Sequence, residues 1–170
     1  MSLSLLGWLF ALGVVVHNVE EAWLLPAWSA RAGRWHVRVT PAVFRFAVTV
    51  LSVAVLAAAW LASSGGPRSF GAYFIAGYAL AMALNALVPH LVATLALRRY
   101  APGTATGVLL NLPLGSWLVC RSLAEAYVDP AVFAVAGPAT VFILLASIPL
   151  LFAVGRKLTG QPPEHIQDTR

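Results

Sequence analysis

The chain alternates long apolar runs with short polar breaks. Five runs, at 3–25, 42–62, 70–97, 105–125 and 131–154, are long enough to cross a hydrocarbon core of about 30 Å, which takes roughly 20 helical residues. Pro26, Pro41, Gly65-Gly66-Pro67, Pro102-Gly103 and Asp129-Pro130 punctuate them, as helix-breaking residues should. The pattern predicts an all-α polytopic membrane protein: one domain of five transmembrane helices over 1–155, then an exposed, mobile tail over 156–170 that contains Pro162-Pro163. The first run follows Met1-Ser2-Leu3-Ser4, without a positive stretch before it or a small-residue cleavage pattern after it. It is expected to stay in the mature protein.

One of these runs is not uniformly apolar. His17, Glu20 and Glu21 fall inside the first, at spacings of three and four that set them roughly on one face of a helix, while Asn18 and Val19 turn aside. Each ionisable group costs about 2.5 to 3.5 kcal/mol at the centre of an inserted helix, against only about 0.3 to 0.6 returned by a Leu or Val. Groups that costly face a bundle interior, a partner charge, a metal or water, so the trio marks a candidate intramembrane site.

Composition supports the membrane reading, with 60% hydrophobic and 10% charged residues and a mean hydropathy of +0.82. The net charge of +5 does not point to nucleic acid, because the basic residues sit in short clusters between apolar runs. They act as topology signals. Arg31, Arg34 and Arg38 follow the first run, Arg98-Arg99 the third and Arg156-Lys157 the fifth, whereas the opposite loops hold Arg68, Glu125 and Asp129. The predicted orientation in the cell membrane has the N-terminus outside and the tail in the cytoplasm. Trp8, Trp60 and Trp117 then fall near the outer interface and Trp23, Trp28 and Trp35 near the inner one, as an aromatic belt. The single cysteine, Cys120, excludes an internal disulfide.

Orientation allows depths to be compared at about 1.5 Å per residue. His17 comes out about 12 Å from the cytoplasmic end of its run, His90 about 10 Å, Asn111 about 9 Å, Glu20 and Glu21 about 6 to 8 Å and Arg45 about 5 Å. Side chains from four helices thus share one layer, and His17 and His90 are expected to be neighbours. Asn85 precedes His90 by five residues, with Pro89 between them, so spacing alone does not set the pair on one face. The Pro102-Gly103 turn with Thr104 and Thr106 suits a capped entry to the fourth helix, whose free amides favour an anion arriving from the cytoplasm.

The opening His-x-x-Glu-Glu, the Asn85/His90 pair and the stretch Arg98-Arg99-Tyr100-x-Pro102-Gly103-x-x-Thr106 together resemble the HXXEE-motif family of small bacterial membrane proteins. In many members the Asn-to-His spacing looks like four residues; here it is five. The resemblance implies that these positions form a shared site and supplies no reaction.

Two imidazoles with a carboxylate suit Zn²⁺ or Fe²⁺ with an open position. His17, His90 and one of Glu20 and Glu21 are the expected ligands, with the other glutamate as general base, and Asn85, Asn111, Arg45, Tyr100 and Thr106 are expected around the substrate or behind the ligands. The expected activity is a metal-dependent enzyme acting on a small or lipophilic substrate. Alternatives are a metal-free acid-base isomerase or cyclase of a lipid or isoprenoid, an ion or proton transporter, and a non-catalytic accessory protein. Adjacent buried carboxylates repel each other, and a cation between them and the imidazoles relieves that cost.

Overall fold

The computed structural model describes residues 1–32 and 38–160. Five helices are long and apolar enough to cross a membrane: α1 (Leu3–Ser29), α2 (Pro41–Gly65), α3 (Phe70–Leu97), α4 (Thr104–Ala124) and α5 (Pro130–Thr159). The described residues contain no strand. The architecture is that of a multi-pass membrane protein, an all-α bundle.

Helix ends follow local chemistry. Ser2 opens α1 by accepting from Leu5 N at 3.2 Å, and Ser69 opens α3 by accepting from Ala72 N at 3.1 Å. Pro41 and Pro130 take the first position of α2 and α5, where no donor is needed. Asp129 Oδ1 accepts from Ala131 N at 2.9 Å and Val132 N at 3.0 Å, which suits a carboxylate at a helix start.

Three helix ends lie beyond the expected ones: α2 runs three residues further, to Gly65, and α1 and α5 run further still. Pro26 does not end α1; the helix runs one further turn to Ser29, whose hydroxyl donates to Pro26 O at 2.9 Å and accepts from Val39 N at 3.2 Å. A proline withholds its own donor but leaves its carbonyl available, so the turn after it can close. At the other end α5 continues through Arg156 and Lys157, cations that suit the negative end of the dipole, and stops at Gly160 with φ 65. The tail expected from 156 therefore begins only after 159. Residues 161–170, with Pro162-Pro163, and Arg34 and Trp35 of the α1–α2 connection lie outside the described residues.

The half of the bundle nearer Met1 holds the main core, with Leu6, Phe10, Val14, Val55, Ile75, Tyr78 and Leu118 in contact and nearly wholly buried. Gly71 lets α3 approach α2 there; a Cβ on it would lie 2.3 Å from the Leu61 carbonyl carbon. At this end Arg68 N donates to Tyr127 O at 2.8 Å, and Tyr127 Oη donates to Ala62 O at 2.8 Å, tying the α2–α3 and α4–α5 connections together. In the arginine-rich half α3 breaks. Ala86–Leu91 is a π-type turn with Val88 extended at φ −129, ψ 115, the conformation that a residue preceding a proline favours. Phe70–Asn85 packs along α5, α2 and the body of α4, whereas the part beyond the break turns to the start of α4 and leaves α5.

Candidate functional site

α1 sets His17 and Glu21 one turn apart on the face toward the bundle, with the Glu21 Oε2 atom 3.7 Å from His17 Nε2. The break in α3 swings His90 inward until its Nε2 lies 3.3 Å from Glu21 Oε1. The two imidazoles meet edge to face with centroids 5.0 Å apart. One ligand atom from each of His17, Glu21 and His90 lies within 4.8 Å of the others. Both rings are buried and Glu21 nearly so. Asn85 enters the same space, its Nδ2 3.5 Å from His17 Nε2. Five residues separate Asn85 from His90, and the kink at Val88 lies between them, so the spacing of a regular helix does not apply and both side chains reach His17 or Glu21.

Glu20 turns away from the imidazoles toward the start of α4. Its Oε1 accepts from Gly103 N at 2.9 Å and from the Tyr100 phenol; its Oε2 accepts from Thr106 N at 3.3 Å and Thr106 Oγ1 at 2.6 Å. The α4 amides expected to attract an anion from the cytoplasm thus receive a carboxylate of the protein itself. Nor do the threonines cap α4: Gly103 stands at the cap position, and Thr104 Oγ1 lies 3.1 Å from His90 O, 2.7 Å from Ala101 O and 2.7 Å from Thr94 Oγ1. Burial and the Glu20 carboxylate raise the Tyr100 phenol above its ordinary range, so it remains a donor at neutral pH.

The Thr106 hydroxyl settles the state of His17. It has one proton and gives it to Glu20 Oε2, so it can only accept from His17 Nδ1, 3.0 Å away. His17 is therefore protonated on Nδ1 and presents the lone pair of Nε2 to Glu21 and Asn85. Gly103 closes the site from above with φ 87; a Cβ there would lie 2.6 Å from His90 Cε1 and 2.8 Å from His17 Cε1.

The group faces a cavity of about 420 Å³ whose walls come from α1, α2, α3 and α5. Asn18 and Tyr78 also line it but spend their donors inside the protein, Asn18 on Ser52 Oγ at 2.9 Å and Val48 O at 3.4 Å, Tyr78 on Leu51 O at 3.0 Å.

Of the residues singled out in the sequence, the structure brings together His17, Glu21, His90 and Asn85, and joins Glu20, Tyr100 and Thr106 behind them. Arg45 is exposed and donates from Nε to Ala22 O at 3.3 Å, with no ion pair to either glutamate among the described residues. Asn111 is fully buried against Gly13, but it is not in the cavity wall, and its side-chain atoms have no hydrogen-bond partner among the described residues. Trp23 and Trp60 are exposed at the bundle surface as a belt requires, whereas Trp28 lines the cavity. Sequence reasoning did not find Gly103 as a wall of the site, although its place in Pro102-Gly103 was the available signal. It also did not find the walls from α2 and α5, for which no signal exists in runs that are apolar on every side.

Residues 8–118 match the family described as protein of unknown function with HXXEE motif. The chain belongs to the HXXEE family. Its motif residues are His17, Glu20 and Glu21, so in this member of the HXXEE family the first glutamate holds the α4 entry and the second faces the imidazoles. The chain is also 33% identical over 150 residues to an uncharacterized protein of Bacillus subtilis (strain 168), YrkK, an alignment that covers 88% of this chain and 95% of that one. No solved structure matches the chain.

Proposed function

We propose that His17, His90 and Glu21 bind a divalent metal, zinc or ferrous iron, and that the protein is a metal-dependent intramembrane enzyme acting on a small or lipophilic substrate in the adjoining cavity. The supporting observation is the convergence of two imidazoles and one carboxylate at 3.3 and 3.7 Å on a cavity wall. Tetrahedral ligands about 2.0 to 2.1 Å from an ion stand about 3.3 Å apart, and one ligand atom from each of the three residues lies within 4.8 Å of the others, so a small side-chain movement closes the site and leaves a fourth position for water or substrate. His17 Nε2 and the Glu21 carboxyl face each other across the position that a cation bound by both would take. A bound metal supplies a polarising centre and an activated water. Glu20 acts as a positioning residue: through Thr106 it fixes the tautomer of His17, as a carboxylate behind a metal-bound histidine does. Asn85 is suited to hold a polar substrate group beside the ligands. The arginine-rich end is assigned to the cytoplasm on the charges of its loops.

The test is elemental analysis of tag-free protein grown with zinc and iron available. About one metal per chain is expected in the parent and little in His17→Ala, His90→Ala and Glu21→Gln, while Glu20→Gln retains metal with affinity weakened about 10- to 100-fold. Equal metal in the parent and the histidine variants, or none in the parent, would overturn the metal site.

The contact of Glu21 with both imidazoles also suits a metal-free acid-base pair acting on a lipophilic alkene, and that second reading takes over if the parent carries no metal. Transport fits less well, because the half nearer Met1 is closed by the apolar core around Phe10, Val14 and Ile75.

A further inference from the structure

The cavity has a shape and an opening that identify its occupant. Beyond Asn85 the broken part of α3 parts from α5, and the gap between them is rimmed by Leu84, Val88 and Leu145, which are 48%, 64% and 60% exposed. Leu145 lies midway along α5, so the mouth opens to the side, at a depth where a membrane offers hydrocarbon rather than water. The stretch of α5 that lines the cavity, Val141 to Phe152, rises about 16 Å. Along it the ionisable side chains gather in one place, at His17, Glu21 and His90 with Asn85 beside them, whereas Asn18 and Tyr78 turn their donors to Ser52, Val48 and Leu51. A slot that is apolar along its length, entered from hydrocarbon and polar at one spot, matches a molecule with one long apolar chain and one polar group.

We propose that the cavity takes a single-chain amphiphile, with an aliphatic or isoprenoid chain and one polar end group, directly from the bilayer through the gap between α3 and α5. The chain lies along the α2 and α5 walls and the polar end meets Glu21 and the two histidines. The inference rests on the enzyme reading for which end reacts, but not for binding.

The test uses the full chain in phosphatidylcholine vesicles and, as probe, hexadecanol carrying a mid-chain diazirine, with photolabelled positions mapped by peptide mass spectrometry. Expected is labelling concentrated between 84 and 88 and between 141 and 152, displaced by plain hexadecanol. Leu145→Trp, which fills the mouth, should lower it about tenfold. Phe142→Trp should leave it unchanged, because Phe142 is 72% exposed on the same helix and does not line the cavity. Val88→Trp blocks the opposite rim and serves if Leu145→Trp does not fold. Labelling that spreads over the outer face of α5, or resists displacement, or survives both rim variants, would overturn the proposal. Saturable cavity labelling in protein without metal would support this proposal and remove the metal reading, whereas metal-loaded protein without saturable labelling would remove this proposal alone.

Discussion

Thr106 shows how much one hydroxyl can carry between two expensive groups. It donates to Glu20 and accepts from His17, so its loss removes the shortest bond to Glu20 Oε2 and takes an acceptor from the His17 Nδ1 proton. Thr106→Val keeps the shape and removes the link; metal affinity should fall about 10- to 100-fold, while Thr106→Ser stays near the parent, as titration with a competing chelator would show. Gly103 is constrained from two directions, by its left-handed backbone and by the two imidazole edges beneath it. Gly103→Ala should cost about 1 to 3 kcal/mol in thermal unfolding of the solubilised protein and displace both rings. His17 and Glu21 were legible in the sequence because a spacing of four on a helix fixes a shared face. The separate task of Glu20 was not legible, since its partners Tyr100, Gly103 and Thr106 lie some eighty positions away and only the fold brings them to it.

At the scale of elements, apolar length and Gly/Pro punctuation located all five helices. Punctuation misled at Gly65, which is still helical in α2, and most at Pro26, where the continuing carbonyl bonds keep α1 helical to Ser29. The break in α3 was announced by Pro89 but its outcome was not, because a proline restricts the preceding residue without saying which way the next side chain swings. The cavity wall was invisible for a different reason: Phe44, Leu51 and Phe152 face a cavity on one side of helices whose other side faces lipid, and both environments select the same side chains. Asn18 is an exception in that it declares its direction. It ties α1 to α2 through Ser52 and the Val48 carbonyl, so Asn18→Ala should lower stability by about 0.6 to 1.7 kcal/mol and leave metal content unchanged, measured by thermal unfolding beside elemental analysis.

For the whole molecule, polarity is divided unequally between the two halves of the bundle. The half toward Met1 is a closed apolar core, and the arginine-rich half holds the site, the cavity and the broken helix. Such a division places the less regular backbone where it is covered by protein or lines a cavity. If the loop charges set the orientation, a reporter fused at Gly65-Gly66 should read as outside and one fused after Gly160 as cytoplasmic; the reverse pattern would reject the assignment.

The Glu20 carboxylate, anchored on the amides that open α4, also has a meaning for how the protein is made. α1 leaves the ribosome before α4 and carries Glu20 into the bilayer before Gly103 and Thr106 exist. Until the fourth helix arrives, that glutamate has only water, lipid headgroups or a helper protein to turn to. α1 is therefore synthesised before it can be finished, because the bonds that hold Glu20 wait for the start of α4.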